Sequence, residues 1–107
     1  MTAYAIAHMR QVTLNDEIVE YLQKIDATLA PYDGHFLVHG DEVEVIENNW
    51  PGNVIMIEFP DLATAKAWYA SEAYQAILPL RLRNSESDVI LVNGVSKDHL
   101  ATDVLTS

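Results

Sequence analysis

The stretch Tyr4-Ala5-Ile6-Ala7-His8-Met9 alternates small and larger side chains, and its reading decides the fold. In an extended chain, Ala3, Ala5, Ala7 and Met9 share one face while Tyr4, Ile6 and His8 share the other. A strand therefore opens the chain. Immediately after it, Thr13-Leu14-Asn15-Asp16-Glu17 supplies cap residues and first-turn acids, the chemistry of a helix N-terminus. Ile18, Leu22, Ile25 and Leu29 follow at helical spacing and predict the buried stripe of that helix. Glu20 and Lys24 lie one turn apart beside it, in the favourable order. Pro31 and Gly34 end the helix.

Period two returns at Phe36-Leu37-Val38, with Val43, Val45 and Ile46 expected to extend that strand beyond Gly40-Asp41. Asn48-Asn49-Trp50-Pro51-Gly52-Asn53 is turn chemistry. Val54-Ile55-Met56-Ile57-Glu58-Phe59 is a third strand, stopped by Pro60. Asp61 is a plausible cap for a second helix over 62–70, and Ser71 for a short one ending near Leu78, where Pro79 is expected to break it. Val89-Ile90-Leu91-Val92 makes a last strand before Gly94. The order β-α-β-β-α-β predicts an α+β, ferredoxin-like split βαβ fold, a four-stranded antiparallel sheet with its helices on one face. Residues 1–95 form this domain, and 96–107, weakly periodic, read as a flexible tail. The strands are apolar on both faces, yet helices cover only one. A second copy laid over the open sheet face, giving a homodimer and a shared α/β barrel, is the simplest cover.

The composition bounds the partners. The chain has 107 residues, half of them hydrophobic, which is one domain with an adequate core. It has no cysteine, so disulfides, thiolate metal sites and cysteine nucleophiles are excluded. Sixteen acids against six bases give a formal charge of -10, a field that repels nucleic acid and anionic lipid. The first ten residues lack the basic start and long apolar core of a signal peptide, and no apolar run approaches the ~20 residues of a membrane span. A cytoplasmic domain is expected.

Several segments, taken in order, carry a family resemblance: Thr28-Leu29-Ala30-Pro31-Tyr32-Asp33-Gly34-His35-Phe36-Leu37-Val38, Ile57-Glu58-Phe59-Pro60, Ala67-Trp68-Tyr69-Ala70-Ser71-Glu72-Ala73-Tyr74-Gln75 and Leu91-Val92-Asn93-Gly94-Val95. From Ala3 to about Val95 the chain is similar to the bacterial family catalogued as domain of unknown function 1330, in the dimeric α/β-barrel superfamily. The resemblance implies the fold and the dimer, and names no activity. It also points to the cleft between helices and sheet that cofactorless oxygenases and haem-degrading members of that superfamily use. The chain departs from the family where Asp33-Gly34-His35 replaces a Gly-Gly-basic turn and where His39 replaces a basic residue, which weakens any anion-binding role tied to those positions.

The candidate chemistry is sparse. His35 and His39 share a strand face if the alternation is regular, but four residues of strand is about 13 Å, too far for one metal ion. His8 and Glu58 end neighbouring strands in the same phase; a carboxylate holding an imidazole is a general-base pair, and two wet strand ends are the alternative. Trp68, Tyr69 and Tyr74 precede Arg81 and Arg83, two of the chain's three arginines. An aromatic wall facing a guanidinium suits a planar acidic or enolic organic ligand; core packing, or ion pairs to Glu72, Glu86 or a partner subunit, suits the same residues. Trp50 reads as a structural turn residue covering a sheet end or crossing to the partner. No flavin, nicotinamide or metal is called for. The ligand-site arrangement puts Trp68, Tyr74 and Arg81 around a cleft and His8 with Glu58 at its edge as the base. It stands for a small enzyme acting by proton transfer or oxygenation; the alternative is a non-catalytic dimeric binding or accessory domain. A ligand-sized cavity beside Trp68 and Arg81 would separate them.

Overall fold

A computed structural model describes residues 1–106. Strand β1 (Ala3–Val12) leads to helix α1 (Asp16–Leu29), then β2 (His35–His39), β3 (Asn53–Phe59), helices α2 (Leu62–Ala70) and α3 (Glu72–Leu82), and β4 (Ser85–Asn93). Short 3-10 turns cover Ala30–Tyr32 and Ala101–Leu105. The sheet has four strands in the order β2-β3-β1-β4, every pair antiparallel, which is the ferredoxin-like α+β arrangement. Among the described residues no helix is long and apolar enough to cross a membrane.

Local chemistry sets the helix ends. The Asn15 side chain accepts from the backbone N–H of Ile18 at 3.0 Å, Asp61 from that of Thr64 at 2.7 Å, and Ser71 from that of Tyr74 at 3.2 Å. Each side chain satisfies one of the free donors of a first helical turn. Pro79 does not end α3. It stands on the exposed side of the helix, while Ile77, Leu78 and Arg81 around it are buried. Their burial offsets the backbone hydrogen bond the proline cannot make.

Across β3, β1 and β4 the strand phase holds as far as Met9. Ala5 lies opposite Ile57 and Leu91, and these face the helices. Tyr4, Ile6 and His8 lie opposite Glu58, Met56 and Val54 on the other face. Residues 41–52 are not the strand extension expected of Val43, Val45 and Ile46. The pairing of β2 with β3 ends at His39 opposite Ile55, and β3 begins only at Asn53. At the end of this loop Gly52 has φ +81°, and a Cβ there would sit 1.8 Å from the Met9 carbonyl oxygen, so the turn is pressed onto the β1 backbone.

The core stripe of α1 also differs from expectation. Ile18, Tyr21, Ile25 and Leu29 are buried, whereas Leu22 is 43% exposed. Helix α1 rests chiefly on α3, and this rotation turns Tyr21 inward in place of Leu22. Ile25→Ala is therefore expected to cost about 2–5 kcal/mol in urea unfolding and Leu22→Ala less than about 1 kcal/mol. Equal losses would contradict the assigned face.

Candidate functional site

Between the helices and the sheet lies a cavity of about 260 Å³. Its floor explains why it is there. Ala5 and Ala7 occupy the helix-facing side of the central strand β1, where larger side chains would fill the space. Ile25 of α1, Ile55 and Ile57 of β3 and Phe36 of β2 belong to its apolar wall. The volume falls just short of the roughly 300 Å³ at which ligand pockets begin, a size for one ring or a short chain.

One wall is aromatic. Trp68 and Tyr74 lie with ring centroids 4.1 Å apart, and Phe59 backs Trp68 at 5.3 Å. The Trp68 indole N–H donates to Thr28 Oγ1 at 3.0 Å, and that hydroxyl donates to the Ile25 carbonyl at 2.7 Å. The hydroxyls of Tyr21 and Tyr74 are 2.8 Å apart and bonded. Burial above all, then the adjoining Tyr74, pushes the Tyr21 hydroxyl far above the usual phenol range, so it stays neutral.

Arg81 stands at this wall, in the last turn of α3. It is the one buried charged residue among the described residues. Its guanidinium donates to Ser87 Oγ at 2.7 Å. Burial weighs against its charge, the oxygens of Tyr74 and Tyr21 weigh for it, and the balance keeps it charged. Among the described residues Arg10 pairs with Asp88 and Glu86, Lys24 with Glu20 and Arg83 with Glu17, but no carboxylate stands by Arg81. A buried cation without an anion is costly, and this one faces a cavity.

The expected residues divide between the two sides of the sheet. Trp68, Tyr74 and Arg81 line the cavity together. His8 and Glu58 do not join them, because the even-numbered residues of β1 and β3 face away from the helices. Nor do those two meet each other: Glu58 lies opposite Tyr4, and His8 is four strand residues further on, about 13 Å. His8 instead stacks on Trp50 at 4.0 Å and hydrogen-bonds the Pro51 carbonyl at 2.8 Å. The indole thus covers a corner of the open face.

His35 and His39 do not share a face either. The register of β2 against β3 slips between Phe36 and Val38, a β-bulge. His35 therefore opposes Glu58 on the open face, while His39 opposes Ile55 on the helix side. There the His39 ring stacks on Phe36 at 4.1 Å and lines the cavity at its exposed end. Asn53, opposite Met9, also lines it, with its Oδ1 buried and without a hydrogen-bond partner. The sequence reading singles out His39 only as a possible partner of His35 and Asn53 only as a turn residue, and places neither at the cavity. The phase of Ile55, Ile57 and Phe59 runs back to Asn53 and places it; the bulge that moves His39 leaves no such sign. Among the described residues no group of three or more His, Asp or Glu side chains is placed to hold a metal ion.

Residues 2–95 match the model of the domain of unknown function 1330 family, and the chain belongs to that family. No curated protein matches it significantly. Solved structures share its fold at low identity. A dimeric ferredoxin-like protein of unknown function from Jannaschia sp. is 13% identical with a TM-score of 0.69, over 88% of this chain and 100% of that one. A protein of unknown function from Rhodopseudomonas palustris is 14% identical with a TM-score of 0.64, over 89% and 83%. SnoaB, a cofactor-independent oxygenase from Streptomyces nogalater, is 12% identical with a TM-score of 0.55, over 91% and 94%.

The buried tyrosine pair sets an alkaline limit. Tyr21 ionises in the unfolded chain near pH 10 and only well above that when folded. The stability held in its neutral form is complete below about pH 10 and is lost as the pH rises further, because the unfolded state then releases the proton more readily. Urea midpoints are expected to fall above pH 10, and to fall less steeply in Tyr21→Phe. Identical alkaline slopes for the two proteins would contradict this.

Proposed function

We propose that the protein is a homodimer whose helix–sheet cavity takes a small, largely apolar organic acid or enol and acts on it by proton transfer, without a tightly bound cofactor. One observation carries the reading: Arg81 is buried, charged and, among the described residues, without a carboxylate, beside a cavity that is mostly apolar and aromatic. A ligand carboxylate or enolate supplies the missing charge, and the faces of Trp68 and Tyr74 supply contact for a planar group. Histidine is the side chain best suited to move a proton near neutral pH. His39 is the one that lines this cavity, so it takes the base role expected of His8 and Glu58. SnoaB supports the cofactor-free part of the reading, as a cofactor-independent oxygenase on a similar fold. The position of His8 and Glu58 outside the cavity favours the second reading, a binding domain that does no chemistry.

Benzoate, with benzamide as its neutral counterpart, tests the reading by calorimetry. Benzoate is expected to bind and benzamide to bind at least roughly tenfold more weakly, since hydrogen bonds to a charged group are the stronger kind. Arg81→Met should abolish that preference while leaving the melting temperature within a few degrees. Equal binding of the two probes, or benzoate binding unchanged in Arg81→Met, would overturn it.

The open sheet face supports the dimer. Val38, Met56, Ile6 and Ile90 form one apolar row across all four strands. Ile90 is 56% exposed, and its neighbour on that face, Val92, 39%. Light scattering at micromolar concentration is expected to show a dimer, and Ile90→Asp a folded monomer. A wild-type monomer would contradict the assignment of this face.

A further inference from the structure

The Arg81 side of the cavity has a counterpart across the sheet. Met9 of the central strand lies opposite Ser87 of β4 on one side and opposite Asn53 of β3 on the other. The three residues make one row on the helix-facing side. Arg81 donates to Ser87 Oγ and so marks one end of the row. Asn53 marks the other, two strand spacings or roughly 10 Å away. Met9 lies between them in the sheet, and Met9, Asn53 and Arg81 all line the cavity.

Asn53 is unusual in one respect. Its Oδ1 is the one buried side-chain polar atom without a hydrogen-bond partner among the described residues. Buried acceptors are rarely left this way, since they lose their water and gain nothing in exchange. Gly40 stands close by: a Cβ there would lie 3.8 Å from Asn53 Oδ1, and its φ of +78° disfavours any side chain. Asn53, with this unpartnered oxygen, and Arg81, without a carboxylate among the described residues, line one cavity from the two ends of the row.

We infer that Asn53 is a specificity-determining residue, and that the cavity selects acids carrying a hydroxyl on the far side of the ring from the acid group. The carboxylate pairs with Arg81, the ring lies against Trp68 and Tyr74, and the hydroxyl donates to Asn53 Oδ1 once the amide turns about its Cβ–Cγ bond and brings that oxygen to the cavity side. A para-hydroxylated aromatic acid has both groups on one axis and spans most of the gap. The inference rests on the organic-acid reading above and adds the second polar contact to it.

The test compares benzoate, 4-hydroxybenzoate and 4-fluorobenzoate on the full chain by titration calorimetry. Fluorine replaces the hydroxyl at similar size without a proton to donate. The wild type is expected to bind 4-hydroxybenzoate at least roughly tenfold more tightly than either other acid. In Asn53→Leu that preference should shrink to less than about twofold. Benzoate binding that depends on Arg81, with no gain from the hydroxyl in wild type, overturns this inference alone and leaves the organic-acid reading standing. A hydroxyl preference that persists in Asn53→Leu also overturns it. Failure of all three acids to bind wild type overturns both. The wild-type comparison decides without any variant having to fold.

Discussion

The alternation of β1, at the centre of the sheet, is the constraint from which the other features follow. Because a strand turns successive side chains to opposite faces, one choice of phase sends Ala3, Ala5, Ala7 and Met9 toward the helices and Tyr4, Ile6 and His8 away. Small residues under α1 leave the cavity. Larger apolar residues on the reverse, with Ile90 and Val92 beside them, leave an exposed apolar face. A shift of one residue would fill the pocket and strip the opposite face together.

The helices accommodate the space left by the alanines by leaning on each other. Helix α1 packs chiefly on α3, and the bonded hydroxyls of Tyr21 and Tyr74 tie the two together. A phenol brings a polar atom into an apolar interior and is tolerated there when that atom is bonded. The same oxygens support the charge on Arg81 at the end of α3. The wall that would hold a ligand is therefore also the junction between two helices, and Trp68 and Tyr74 belong to core and cavity alike.

Much of this was legible in the sequence. The strand and helix order, the caps at Asn15, Asp61 and Ser71, and the grouping of Trp68, Tyr74 and Arg81 all follow from spacing and local hydrogen-bond chemistry. What was not legible depends on one-residue departures from ideal periods. A bulge near Leu37 moves His39 to the cavity side, and a small rotation of α1 exchanges Leu22 for Tyr21. Pro79 remains helical because tertiary burial outweighs a local preference. The pairing of His8 with Glu58 failed for a different reason: equal phase places two residues on one face but says nothing of how far apart along it they stand.

The proposed ligand anion stands or falls at Arg81, which is buried, charged and without a carboxylate beside it among the described residues. The structure of the protein crystallised with benzoate tests it most directly. Density for the carboxylate is expected within about 3 Å of the Arg81 guanidinium nitrogens, with the ring against Trp68 and Tyr74. Benzoate bound only elsewhere, or Arg81 turned out of the cavity to a carboxylate of the chain or of a second copy, would contradict it.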